Sequence, residues 1–316
     1  MGAGFVATGR TARLCALLAP CVATGLLAAL LPGLLAALLA CAASADERRV
    51  EIDVPGGPIV GTLEVPDAPG PHATVLLLPG FAGTRDGLAV AGADEGVLSR
   101  TARRFAEGGV ASLRIDFRGV GESGGEWRDT TFSGQIADAT AAYDWLNVHP
   151  LASRVAVLGW SQGGLVAAHV AAARPDAAAL VLWAPAQNPL WNFSGFFGVE
   201  TTMAALAAPA DQEITATLPS GEETTLRALF WRELATTDPV AAAARYPGPL
   251  LVIVGSRDEL VTPQPAAGEI FLRYHEGEES LVVLDTDPAF GVATGPDVLD
   301  GMIEQSLAWV QDAAAR

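Results

Sequence analysis

The chain contains no lysine: its 19 basic residues are all arginine, against 36 acidic residues. A Ser–Lys catalytic dyad is therefore excluded, and a glycine-rich phosphate loop completed by lysine is excluded with it. Cysteine is nearly as scarce. The three cysteines, Cys15, Cys21 and Cys41, all fall within the first 45 residues. The remainder therefore has no disulfide, no thiol nucleophile and no cysteine-based metal site, and its stability must come from a buried core. No metal-ligand spacing is present, so neither a metal nor any other cofactor is expected. Positive charge is also short. Only Arg10 and Arg13 of the basic residues, and none of the acidic ones, lie in the first 45, so the rest carries 17 against 36, a net charge of −19. Such a surface argues against nucleic acid or an anionic membrane as partner.

What is abundant is apolar sequence, half of the residues. Residues 14–43 are almost wholly apolar, follow the two arginines, and end before Ser44-Ala45 and the charged run Asp46-Glu47-Arg48-Arg49. This is the pattern of an export signal, so the mature protein is expected outside the cytoplasm, extracellular or periplasmic. Three fates are readable. Ala43-Ser44-Ala45 fits ordinary cleavage after Ala45. Leu38-Leu39-Ala40-Cys41 resembles a bacterial lipobox, which would leave a lipid anchor on Cys41 as the one link to a membrane. An uncleaved anchor is the third, although Pro20, Gly25, Pro32 and Gly33 interrupt the run.

From residue 46 onward, short apolar runs alternate with helical periods. Residues 49–66 alternate around Pro55-Gly56-Gly57, a hairpin signal. Strands are expected at 73–78, 112–115, 155–158, 179–183, 249–254 and 280–284, with helices near 97–107, 133–147, 266–274 and 297–313. This order predicts an α/β domain over residues 46–316, with a mostly parallel central sheet flanked by helices. Between about 187 and 246 the pattern breaks into scattered aromatics, Trp191, Phe193, Phe196, Phe197, Phe230 and Trp231, with polar patches. This reads as a cap-like insertion. It either walls a substrate pocket or forms a satellite hydrophobic cluster.

Residues 154–173 carry the chemistry. A β-branched strand runs into Gly159-Trp160-Ser161-Gln162-Gly163 and then directly into an Ala-rich helix. G-x-S-x-G places a serine where a strand reverses sharply into a helix, and the glycines remove side chains that would collide. A glycine-rich structural turn satisfies the same spacing, so the surrounding sequence has to decide. The segment 116–123 has the glycine content of a phosphate loop, but with no lysine to complete it a structural turn is the reading.

Pro79-Gly80-Phe81-Ala82-Gly83, Asp116-Phe117-Arg118-Gly119-Val120-Gly121-Glu122-Ser123, the Ser161 turn and Gly255-Ser256-Arg257-Asp258 occur in that order. With them the chain from residue 49 onward resembles an α/β-hydrolase. In pattern it is most similar to bacterial cinnamoyl/feruloyl-type esterases and serine-aminopeptidase-like hydrolases. The resemblance implies a Ser161 nucleophile, oxyanion donors in the backbone N–H groups of Phe81 and Gln162, and Asp258 as the acid, with Glu259 its neighbouring competitor. It also implies a histidine in an Asp-His-x-Phe pattern, where this chain has Asp287-Pro288-Ala289-Phe290. Proline cannot take a proton from serine.

The four histidines do not replace it. His72, His149 and His275 each precede a strand, at the sheet edge away from Ser161, and His169 lies eight residues along the helix, about 12 Å. Asp285 and Asp287 are poor bases for a hydroxyl at an ordinary carboxylate pKa. Two functions follow. One is a secreted serine hydrolase acting on small-molecule carboxylic esters through an acyl-enzyme on Ser161. The other is a catalytically impaired or non-catalytic α/β-hydrolase-fold protein that binds a ligand in the same pocket.

Overall fold

The computed structural model describes residues 46–316. The leader at 1–45, with its processing points at Cys41 and Ala45, lies outside the described residues. The chain enters as an antiparallel hairpin, β1 (Asp46–Ile52) and β2 (Ile59–Val65), turned by Gly56 and Gly57 at positive φ. It continues through β3 (His72–Leu78), β4 (Ala111–Ile115), β5 (Ala152–Trp160) and β6 (Leu180–Trp183). A separate two-stranded hairpin, β7 (Glu213–Thr217) and β8 (Glu223–Arg227), precedes β9 (Leu250–Gly255) and β10 (Glu279–Leu284). The eight-stranded sheet has the order β1-β2-β4-β3-β5-β6-β9-β10. Its β2 edge is antiparallel and everything from β4 to β10 is parallel.

Because both faces of the parallel part are covered, its strands are apolar throughout rather than alternating. Leu76, Leu78, Val155, Val157, Leu180 and Leu182 face one core, beside α2 (Phe132–Asn147), α3 (Gln162–Ala173) and the insertion. Their neighbours Val75, Leu77, Ala156, Leu158, Val181 and Trp183 face the other, beside α1 (Val97–Glu107) and the C-terminal helix. Helix α3 is apolar nearly all round because it is packed between the sheet and other helices.

The stretch 187–246 is mostly regular structure. It comprises α4 (Pro189–Phe197), α5 (Val199–Ala207), the β7–β8 hairpin, α6 (Ala228–Glu233) and α7 (Pro239–Ala243). Two proline-bearing starts are capped by side chains, Asn188 accepting from the Trp191 N–H and Asp238 from the Ala241 N–H. Helices α8 (Ala266–Tyr274) and α9 (Asp297–Ala314) complete the domain. No helix among the described residues is long and apolar enough to cross a membrane.

The sheet is tied to α9 by one buried polar contact, Trp183 Nε1–H donating to Ser306 Oγ at 3.0 Å. Ser306→Ala strands that indole N–H and should cost about 1–3 kcal/mol. Urea unfolding should show a lower midpoint at an unchanged slope.

Candidate active site

Strand β5 ends at Trp160 and α3 begins at Gln162, leaving one residue for the reversal. Ser161 makes it at φ 54° and ψ −114°, a region that residues with side chains rarely occupy. The flanking glycines are required by contact. A Cβ on Gly159 would press into the carbonyl oxygen of Gly163, and a Cβ on Gly163 into that of Leu78 at the end of β3. The strained residue is held on both sides. Its N–H donates to the Trp183 carbonyl at 2.8 Å, and its carbonyl accepts from Gly164 at 3.0 Å and Ala186 at 3.2 Å.

The loop after β3 runs directly against this turn: a Cβ on Gly80 would lie 3.6 Å from Ser161 Cβ. Phe81 follows. Its N–H has no acceptor among the described residues, nor has that of Gln162, which as the first residue of α3 lacks an intrahelical partner. The Gln162 side chain is buried and donates through Nε2 to Gln135 Oε1 on α2, which turns it away from the serine hydroxyl.

Ser161 opens into a cleft of about 50 Å³ walled by Phe81, Asn192, Phe193, Phe196 and Val261. The Phe81 ring meets Trp127, Phe193, Phe196, Phe197 and Phe230 at centroid distances of 5.2–6.0 Å. The insertion contributes both to the cleft wall and to a buried cluster. Phe193 and Phe196 wall the cleft, whereas Phe197, Phe230 and Trp231 form a buried cluster and Trp191 is exposed.

Asp258 lies just beyond β9 and is 4% exposed. One carboxylate oxygen accepts the N–H groups of Leu260 and Val261 at 2.8 and 2.9 Å, and the other is buried with no partner among the described residues. Burial pushes this carboxyl above its ordinary value, and the nearby Asp287 charge adds to the shift. Glu259 is exposed, so only one of the adjacent carboxylates faces inward. Asp287, itself exposed, spends one oxygen on the N–H groups of Ala289 and Gly291. That loop carries Pro288 and anchors Phe290, which is buried against Trp160 and Trp183.

No histidine bonds the Ser161 hydroxyl, which has no hydrogen-bond partner among the described residues. His72 opens β3 and His149 precedes β5, both at the opposite sheet edge. His275 ends α8, and its Nδ1 accepts from the Gly277 N–H at 3.2 Å. His169 is bonded through Nδ1 to the Leu165 carbonyl at 2.9 Å, and burial holds it below its ordinary pKa. Among the described residues no group of three or more His, Asp or Glu is placed to hold a metal ion.

The segment 116–125 is a turn whose polar groups are spent on protein partners, within the turn and on Arg85, Val60, Pro58 and Asp138 around it. Buried Asp116 accepts from the N–H groups of Arg85 at 2.7 Å and Glu122 at 3.1 Å, and Gly119 donates to the Gly124 carbonyl at 2.7 Å. It does so even though residues 119–124 have the G-x-G-x-x-G spacing.

Sequence reasoning missed the clasp between α4 and the Asp258 loop. Asn192 Nδ2 donates to the Leu260 carbonyl at 3.3 Å, Gln187 Nε2 to the Thr262 carbonyl at 3.0 Å and Trp191 Nε1 to Thr262 Oγ1 at 3.3 Å. Its one signal was Asn188-Pro189, a helix start that fixes where Asn192 falls one turn later.

Because burial favours the protonated Asp258, the native state holds that proton more tightly than the unfolded chain. The group's contribution to stability is full below the ordinary carboxylate range and is lost as pH rises through the raised value. Asp258→Asn should therefore raise the thermal midpoint at pH 7 relative to the parent, with the difference shrinking as the pH falls to about 4. A midpoint lowered equally at both pH values would contradict this.

Residues 71–221 match the family described as serine aminopeptidase, S33. The esterase EstD of Thermotoga maritima is 27% identical over 252 residues, 76% of this chain and 59% of that one. The uncharacterized protein RP471 of Rickettsia prowazekii is 34% identical over 92 residues, 29% of this chain and 38% of that one. The chain thus spans less than two thirds of either relative. Among solved structures, Est1E from Butyrivibrio proteoclasticus with ferulic acid bound is similar at 21% identity and a TM-score of 0.66, covering 84% of this chain and all of that one. DcsB in complex with a substrate analogue is similar at 16% identity and a TM-score of 0.69, covering 86% of this chain and all of that one. With the sheet order, the glycine-framed turn at Ser161 and these matches together, the domain has the α/β-hydrolase fold.

Proposed function

We propose that the mature protein is an exported serine hydrolase that cleaves small carboxylic esters. The observation that carries this reading is the Ser161 turn, which presents its hydroxyl to an aromatic cleft beside two uncommitted backbone donors. In the proposed reaction Ser161 Oγ bonds to the acyl carbon while the N–H groups of Phe81 and Gln162 stabilise the oxyanion. The serine proton ends on the departing alcohol, and water then releases the acid and restores the serine. Asp258 is the acid of the site, its unpartnered oxygen suited to an imidazole N–H.

With Pro288 at the base position the rate is expected to be low. In subtilisin, which uses the same triad on another fold, removing Ser or His costs about six orders of magnitude, and the residual machinery keeps roughly 10³–10⁴ over water. A second reading, a ligand-binding protein without turnover, rests on the same proline. Short-chain p-nitrophenyl esters separate the two. Turnover above the solvent rate should fall to background in Ser161→Ala. Pro288→His should raise turnover at least about 10³-fold, on an ascending limb near pH 7 as the imidazole loses its proton. Proline at 288 donates no hydrogen bond, so histidine removes no backbone contact there. Equal rates for the parent and Ser161→Ala would remove Ser161 from the chemistry.

Export rests on the first 45 residues. Mass analysis of the secreted N-terminal peptide should find Asp46 first after ordinary cleavage, and a diacylglyceryl Cys41 if the lipobox is used. An intact Met1 terminus would contradict both routes.

A further inference from the structure

The Ser161 cleft, at about 50 Å³, holds only a small group. A second hollow of about 200 Å³ adjoins it, and the two meet along Asn192, Phe196 and Leu260. One wall of this outer hollow is Trp191 and Val199 from the insertion, 62% and 66% exposed, and the other is Glu259, Leu260 and Thr262. Trp191 does not hang free. Its indole N–H bonds Thr262 Oγ1 at 3.3 Å and its backbone N–H caps onto Asn188. An aromatic plane is thus held open to solvent beside the reactive serine, where a mainly apolar binding surface is expected.

Which half of an ester lies there follows from the chemistry. The alcohol oxygen leaves on the side from which it can be protonated. In this reading that side is marked by Asp258, and Glu259 and Thr262, which follow it in the chain, line the outer hollow and not the inner cleft. The acyl chain is left with the inner cleft. We infer that the outer hollow is the alcohol subsite, and that the substrates are neutral esters joining a short acyl group to a bulky apolar, aromatic alcohol. Exposed Glu259 on the rim and the strongly negative body select against anionic alcohols. This inference rests on the ester-hydrolase reading.

The test uses the mature chain carrying Ser161→Ala, titrated with 2-naphthyl acetate and with ethyl acetate and followed by NMR shift perturbation. Saturable binding of the naphthyl ester is expected. Trp191→Ala and Val199→Asp should each weaken it about tenfold and leave the ethyl ester unchanged. Both positions are exposed; Trp191→Ala also gives up the bond to Thr262, whereas Val199→Asp breaks no side-chain hydrogen bond, so agreement between the two separates the subsite from a loosened loop. The inference is overturned if the naphthyl ester does not saturate, or if the variants weaken both esters equally or neither. Trp191-dependent binding in a parent chain without turnover would defeat the hydrolase reading while leaving a naphthyl site. Turnover whose naphthyl-to-ethyl preference ignores Trp191 would defeat the subsite and leave the hydrolase.

Discussion

Everything at the centre of this protein depends on how closely three backbone segments meet. The end of β5, the start of α3 and the exit of β3 occupy so little space that a methyl group on Gly159 or Gly163 would collide with a carbonyl oxygen. Only by that compression does the serine between them adopt a positive φ and lift its hydroxyl off the sheet. The two large cores on either face of the sheet supply the packing that holds the strained turn in place.

The same compression aligns the rest of the site. The loop carrying Gly80 and Phe81 lies in van der Waals range of Ser161, and the start of α3 leaves the Gln162 N–H without an intrahelical acceptor. The Phe81 ring is in turn locked among five aromatic neighbours, so its backbone is held by packing as well as by the turn. On the far side, Asp258 places one oxygen on two amides and buries the other without a partner. Such a group is a cost to stability, and under the proposed reading its free oxygen is the one an imidazole N–H would meet. The structure thus combines a strained serine turn, two backbone N–H groups without acceptors and a buried carboxylate with one unpartnered oxygen.

Much of this is legible in the amino-acid sequence. The helix at 97–107 and the strands of the parallel sheet follow from apolar runs and their spacing, because buried strands and amphipathic helices have little freedom to look otherwise. The Ser161 turn was legible only in context, since its spacing is common and the strand, the helix and the order of the other loops had to decide it. What could not be read was how residues 187–246 fold. Their aromatics carry no period, and whether Trp191 faces solvent while Trp231 is buried depends on contacts with Thr262 and Phe197 that are distant in sequence or set by packing. The unpartnered oxygen of Asp258 was equally invisible, because sequence places a carboxylate after a strand but not the atoms around it.

Under the proposed reading, a Ser161 nucleophile with oxyanion donors but no base should acylate slowly and deacylate slowly as well, since both steps need the same proton transfer. The most direct measurement is therefore the trapped intermediate: incubation with p-nitrophenyl acetate, acid quench, and peptide mass spectrometry. The account predicts a single acetyl group on the peptide containing Ser161, lost when the protein is unfolded before exposure. Acetylation spread over exposed hydroxyls, or equal in folded and unfolded protein, would contradict it.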